Sequence, residues 1–372
     1  MDITQLKIKI LSYSEIYYMG FILILNGLAS AGLTSEDRIY KVLFVIAVVL
    51  LLLKVITTQY TTREWMWIGS IAAILGICFF RNHEKTLILA MMGIFGCKNV
   101  SIKKILQYAL FSKVVFTVAT VTLAVMNIIP NEIIELPKGG GYFSLYCYGY
   151  YSPNTLFANL FLICIMVVAV YQTRVKSWMF VGMTLCLYIA YKVLMCRTGM
   201  IVWAVFVAML AIYYFLRNTK LKKIYLYLIL IVPLICGLLT VGVTLLYANG
   251  NVYAEKINSL LTGRIDHIAR FGSEMNTIFI VGHFPREPFD SMYVHLYYNY
   301  GIILFVIVMV GYVETMYYAW RSNKDYELLI LGIMSIYGFM EQFPLNITWN
   351  LFLLYMSWMF FNGNPDRRQF LC

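Results

Sequence analysis

Charge is scarce in this 372-residue chain. Only 13% of positions are Asp, Glu, Lys or Arg, about half the ~25% of an ordinary soluble domain. With 61% hydrophobic residues, that scarcity excludes a soluble enzyme and a disordered chain. Histidine is rare as well, at four residues. None of the eight cysteines sits in a CxxC spacing, and most fall inside apolar runs. Neither a zinc centre nor a secreted disulfide scaffold is expected, and core packing is. Cys147 and Cys196 alone fall near the face that the topology below makes the outer one, so any bridge would join those two. No internal repeat stands out, which argues against an inverted-repeat transporter. No small-residue cleavage site follows the first apolar run, so no cleaved signal peptide is expected.

Apolar runs are what the chain has in abundance. Twelve are legible, at about 15–33, 39–56, 65–81, 86–97, 108–129, 154–172, 177–194, 198–216, 224–247, 292–318, 326–340 and 346–361. Twelve spans of roughly 20 residues need about 240 positions, which the composition supplies. The expected fold is all-α: one polytopic membrane domain over 1–372 with about 12 transmembrane helices. Placing the amino terminus in the cytoplasm puts the cationic short loops on the cytoplasmic side, as cationic loops require. Both termini are then inside, in a cytoplasmic (inner or plasma) membrane. The net charge of +11 is spread over many short turns, so nucleic acid is not an expected partner. Lys113 falls within the fifth span, near its cytoplasmic end. Residues 101–112 alternate apolar and cationic positions at helical spacing, as an interfacial helix leading into that span would.

Two outer loops are long. The first, 130–153, carries Gly139-Gly140-Gly141 and then Tyr142, Tyr146, Tyr148, Tyr150 and Tyr151. Tyrosine offers an apolar face and a hydroxyl, which suits a sugar ring and a membrane interface equally. The second, 248–291, is the longest stretch outside the spans. Thr262-Gly263 there can open a short helix on which Arg264, His267 and Arg270 share an arc of roughly 120°. Such a face suits diphosphate, because a guanidinium stays charged and offers a planar fork of donors. A solvated amphipathic helix lying on the membrane has the same spacing. Arg197, in Cys196-Arg197-Thr198-Gly199, has almost no loop around it and must sit at the outer membrane edge. A charge there is costly and usually functional, although snorkelling to headgroups is the simpler explanation. All four histidines fall on the outer side. His295 follows Asp290 by five residues at the mouth of the tenth span, so either could be a general base.

These residues resemble the superfamily of bacterial O-antigen polymerases and O-antigen ligases. Four local matches carry the resemblance, in the family's order, between about residues 150 and 305. Tyr151-Ser152-Pro153-Asn154 resembles its Pro-Asn entry into a span. Cys196-Arg197-Thr198-Gly199 is similar to its Ser-Arg-Thr-Gly junction, with Cys196 in place of Ser. Thr262-Gly263-Arg264 resembles the Gly-Arg that opens the helix of the large outer loop. Gly282, Asp290-Ser291 and Gly301-Ile302 resemble its Gly, Asp-Asn and Gly-Ile pattern, with Ser291 in place of Asn. The Arg-x10-Gly spacing of some polymerases is absent from the long loop, where Arg270 and Gly282 miss it by one residue. Asp290 stands where the ligases carry a catalytic His, which favours polymerase over ligase.

The resemblance implies a glycosyltransferase C-like membrane fold and a polymerase acting at the outer face. Its substrates would be oligosaccharide repeat units on undecaprenyl diphosphate, joined into capsular, exopolysaccharide or O-antigen chains. No cofactor and no metal is implied, in keeping with the lack of a P-loop, a DxD or a His/Cys cluster. Arg197, Arg264 and Arg270 would hold the diphosphate. Asp290 would be the base, with His267 and His295 behind it. Tyr148, Tyr150, Tyr151 and Asn154 would hold the glycan. Membrane lipid, a chain-length regulator and a flippase are the implied partners. The alternatives are a ligase of the same fold and a lipid-linked oligosaccharide flippase or transporter.

Overall fold

The structure is a computed structural model that describes residues 3–33, 36–138, 141–260, 263–270, 280 and 289–361. It is 79% helical. Among the described residues, seven helices are long and apolar enough to cross a membrane, and an eighth is gained if one bent pair counts as one span. The seven are α2 (Arg38–Thr57), α3 (Thr62–Asn82), α5 (Ile102–Val125), α6 (Pro153–Tyr171), α7 (Ser177–Leu194), α8 (Arg197–Leu216) and α13 (Met292–Arg321). The bent pair is α9 (Leu221–Leu230) with α10 (Val232–Ala248), at 43°. Pro233 at the start of α10 cannot continue the ladder of α9.

These helices account for seven or eight of the twelve expected spans. The other four apolar segments become α1 (Ile3–Ser30), α4 (Thr86–Gly96), α14 (Asp325–Met340) and a 3-10 turn at Leu351–Met356 running into α15 (Ser357–Phe360). With 11 and 16 residues, α4 and α14 are shorter than the ~20 that a bilayer demands. Hydropathy registers an apolar run without showing whether lipid or protein surrounds it. Protein surrounds α4, whose Leu87, Ala90, Met91 and Ile94 are all buried. The opposite holds for α7, where Trp178, Val181, Leu185 and Ile189 are exposed. An apolar exposed face of that kind belongs in lipid.

Residues 101–112 do not form a separate interfacial helix. Ser101 caps α5 by accepting from the backbone N–H of Lys104, and the helix runs unbroken to Val125. Its Ile102, Ile105, Leu106 and Ala109 pack into the core while Lys103 and Lys104 stay exposed. The long loop 130–153 is also more ordered than expected. It holds an antiparallel hairpin of β1 (Ile133–Lys138) and β2 (Gly141–Tyr146), with Leu136 opposite Phe143. Gly139 and Gly140 lie outside the described residues. The turn that follows puts Tyr148 and Gly149 at positive φ and sends Tyr150 inward. Cys147 and Cys196 are both buried and unbridged.

A polar network runs through the core between α1, α5 and α6. Lys113, fully buried, donates to Asn159 Oδ1 at 2.6 Å and Ser30 Oγ at 3.3 Å. Asn159 in turn donates to Thr117 Oγ1 at 2.6 Å and Tyr150 Oη at 3.1 Å. The Tyr150 hydroxyl donates to the Ser30 carbonyl at 2.6 Å. Lys113 is the twelfth residue of the 24-residue α5, so it sits at mid-helix rather than near an end.

Both ends of the bundle hold ion pairs. At one end Lys98 pairs with Glu64 at the start of α3, and Lys222 pairs with Asp325 at the start of α14 at 2.6 Å. The opposite end, where α3 and α14 finish, holds the site described next.

Candidate functional site

A cavity of about 590 Å³ opens at that second end, within the usual range for small-molecule sites of about 300–1,000 Å³. Part of its wall is built from helix starts. Thr86 is the first residue of α4. Ser152, Asn154 and Thr155 belong to the first turn of α6, and Cys196 is the N-cap of α8. Asp290 directly precedes Ser291, the N-cap of α13. Four helices of 11, 19, 20 and 30 residues thus begin around one space. Helix starts carry unpaired N–H groups and the positive end of the macrodipole.

Local sequence explains each start. Ser152 accepts from the N–H of Asn154, and Pro153 takes the first helical position, where no N–H is needed. Met195 adopts a left-handed conformation (φ 53°), which ends α7 and lets α8 begin at once. Gly199 allows α8 to approach, because a Cβ there would collide with the Phe157 ring and come 2.9 Å from Tyr337 Oη. The described part of the large loop holds α11 (Val252–Leu260) and α12 (Arg264–Arg270). Asn258 Oδ1 accepts from the N–H groups of Ile265 and Asp266 at 2.9 and 3.0 Å and so caps α12. Ile265 and Ile268 bury the other side of α12, where Ile268 packs with Phe289, Val294 and Tyr298.

Arg264 is the centre of the charge arrangement. Its guanidinium donates to the Met340 carbonyl and to Glu341 Oε1 at 2.9 Å. Its Nε lies 3.4 Å from Asp290 Oδ2. Burial alone would weaken the charge of Arg264, but Glu341 first and Asp290 second more than offset it. Burial also pushes the Glu341 carboxyl above the usual carboxylate range, and Arg264 pulls it part of the way back.

A second cluster shares the wall. His295 Nδ1 lies 2.8 Å from Asn299 Nδ2. The amide N–H donates, so a neutral ring keeps its proton on Nε2. Glu84 accepts from the Thr86 N–H and hydroxyl at 3.1 and 2.7 Å. Aromatic rings complete the lining, from Tyr151, Tyr337, Phe343 and Trp349.

His295 and Asn299 reach this wall because α13 is broken. Gly301 has φ 81° and ψ 172° inside it, a conformation essentially reserved for glycine. The segment before the break is buried nearly all round. Tyr300 Oη, next to the break, accepts from the N–H of Leu87 at 2.9 Å. Gly301→Ala is therefore expected to cost about 1–3 kcal/mol. It should also turn the His295 segment away from the cavity wall. Thermal unfolding of the purified variant measures the first effect.

The expected site residues separate into three groups. Tyr151, Asn154, Arg264, Asp290 and His295 line the one cavity, although 139 positions separate the first from Asp290. Tyr148, Tyr150 and Arg197 do not line it. Tyr150 is spent in the core network, and Tyr148 sits in the turn with its N–H donating to Asn131 Oδ1 at 2.9 Å. Arg197 is exposed, next to the cavity-lining Cys196. The backbones of His267 and Arg270 lie on α12, and their side chains are outside the described set, as are Thr262 and Gly282. Glu84, Glu341 and Trp349 are cavity residues that the sequence did not single out. Each stands at the edge of an apolar run, where a polar or aromatic residue reads as an interfacial anchor.

Comparison with protein-family models, curated proteins and solved structures returned no match.

Proposed function

We propose that the chain polymerises undecaprenyl-diphosphate-linked oligosaccharide repeat units at the outer face of the cytoplasmic membrane. One observation carries the reading. The motif residues of four separated stretches meet at a single cavity that combines a guanidinium, carboxylates, an imidazole and aromatic faces. Aromatic faces and carboxylates suit a sugar ring with its hydroxyls. Helix starts and Arg264 suit the diphosphate. The exposed cations Lys103, Lys220 and Lys223 near the opposite end of the bundle favour that end as cytoplasmic, which leaves the cavity outside.

In this reading the donor is the growing chain on its lipid diphosphate, and the acceptor is the free end of a new lipid-linked unit. A hydroxyl of the acceptor attacks the anomeric carbon of the donor, and the lipid diphosphate leaves. Arg264 stabilises the leaving group, and Arg197, exposed beside the cavity-lining Cys196, is a further cation near it. Asp290 takes the proton, and His295 is the second candidate on the same wall. Tyr151 and Asn154 bear on the glycan. A flippase would supply the units, and a chain-length regulator would set the product size.

Gel analysis of surface polysaccharide in a deletion strain tests this. The expected result is loss of the high-molecular-weight ladder, with single lipid-linked units left at the outer face. Units trapped on the cytoplasmic face would indicate a flippase instead. Full-length lipid-linked polymer that never reaches its acceptor would indicate a ligase.

A further inference from the structure

Arg264, the cation suited to diphosphate, is already occupied. Its three bonded groups go to Met340, Glu341 and Asp290. The two carboxylates are not held alike. Glu341 lies 2.9 Å from the guanidinium and is 21% exposed, whereas Asp290 lies 3.4 Å away and is 56% exposed. Glu341 is also fixed through its backbone, whose N–H donates to the Tyr337 carbonyl at 2.9 Å at the end of α14. Asp290 precedes the N-cap of α13 and has no helical turn to fix it. At 3.4 Å its contact is longer than an ordinary N–H···O bond.

We propose that Asp290 is the displaceable partner of Arg264. The lipid-linked diphosphate replaces it on the guanidinium, and the carboxylate so released accepts the proton of the attacking hydroxyl. This rests on the polymerase reading. A diphosphate offers two oxygens to the planar fork, a better match than one long contact. Its charge repels the neighbouring carboxylate, which drives the exchange in one direction. The hydroxyl oxygen then bonds to the anomeric carbon. The bond from that carbon to the diphosphate oxygen breaks, and its electron pair leaves with the diphosphate. The hydroxyl proton passes to Asp290. The base is thus set free only when a donor is in place, which protects a paired carboxylate from idle contact with acceptor or water. Glu341 is a positioning residue that keeps the guanidinium oriented throughout.

The signature is opposite effects on binding and turnover. The test uses full-length protein in nanodiscs, with undecaprenyl diphosphate as the probe and chain growth on lipid-linked units as the second readout. Asp290→Asn removes the competing charge and is expected to tighten the probe at least about tenfold, or roughly 1.4 kcal/mol. The same variant should slow chain growth by about 100-fold or more. Glu84→Gln removes a carboxylate from the same wall that is not on Arg264, and should change the affinity by less than about threefold. Unfolding midpoints within a few degrees of wild type establish that the variants are folded. An Asp290→Asn affinity equal to or weaker than wild type overturns the proposal. So does an equal gain from Glu84→Gln, or wild-type chain growth by Asp290→Asn. If wild type neither binds the probe nor extends the units, the polymerase reading falls and this inference with it. If wild type does both and Asp290→Asn does not tighten binding, only the displacement falls.

Discussion

Under the proposed polymerase function, Arg264→Ala is expected to eliminate high-molecular-weight polysaccharide and to slow chain growth by about 100- to 1,000-fold, the usual cost of removing a donor aimed at developing negative charge. Arg264→Lys should recover little of this. A lysine ammonium is a point charge on a flexible stem and cannot bond Met340, Glu341 and a diphosphate from one rigid plane. A stability loss accompanies the catalytic one, because a half-buried Glu341 and the Met340 carbonyl lose their donor. That loss should be about 1–3 kcal/mol at neutral pH. It should shrink as pH falls. The Glu341 carboxyl already sits above the usual carboxylate range with Arg264 present, and without the cation it rises further. Once protonated it no longer needs a counter-charge. Thermal unfolding of the purified variant at neutral and at mildly acidic pH reads this directly. A deficit that grew with acidity would show that Glu341 is not the group left stranded. Chain growth at matched membrane expression separates the chemical loss from the folding loss.

The second large effect lies in the core. Asn159→Leu is expected to destabilise the protein by about 3–5 kcal/mol, the cost of breaking a buried polar pair on one side only. Leucine would strip Lys113 of its 2.6 Å acceptor and leave Thr117 and Tyr150 without their donor. Lys113→Met removes the buried charge along with its needs, so it should cost far less and could even stabilise. The contrast is the test, by thermal unfolding in one detergent. If Lys113→Met proved as damaging as Asn159→Leu, the ammonium would have a task beyond filling its own network. The Trp349 ring on the cavity wall, 5.3 Å from the ammonium, would then be the place to look. Loss of the Tyr150 contact should also loosen the turn after the hairpin from the end of α1.

How much of this was legible in the sequence differs from element to element. The start of α6 was readable because Ser152, Pro153 and Asn154 act within four residues, by capping and by a fixed φ. The junction of α7 and α8 was readable because Cys196 to Gly199 leave no room for a loop. The arginine of the Gly-Arg pair stands at the start of α12, as the spacing indicated. Hydropathy failed where the answer depends on neighbours. An 11-residue apolar run looks alike whether it is a truncated span or, like α4, a helix wrapped in protein. The break at Gly301 was hidden inside a continuous apolar stretch, because only φ distinguishes a kinking glycine from a packed one. Glu84 and Glu341 are silent in the sequence because a carboxylate at the edge of a run carries no sign of which distant arginine or histidine it faces. Glu341 and Arg264 are 77 positions apart, and nothing local joins them. The hairpin in 130–153 was masked by its tyrosines and glycines, which suit a loop as well as a strand.

Reconstitution tests the central claim most directly. Purified protein in proteoliposomes would receive lipid-linked repeat units isolated from a deletion strain, with no nucleotide sugar and no ATP. The polymerase reading predicts a ladder of two, three and more repeats, with one undecaprenyl diphosphate released for every bond formed. Arg264→Ala in the same liposomes should leave single units unchanged. Units that cross the bilayer without growing, or single units left untouched by folded wild-type protein, would contradict it.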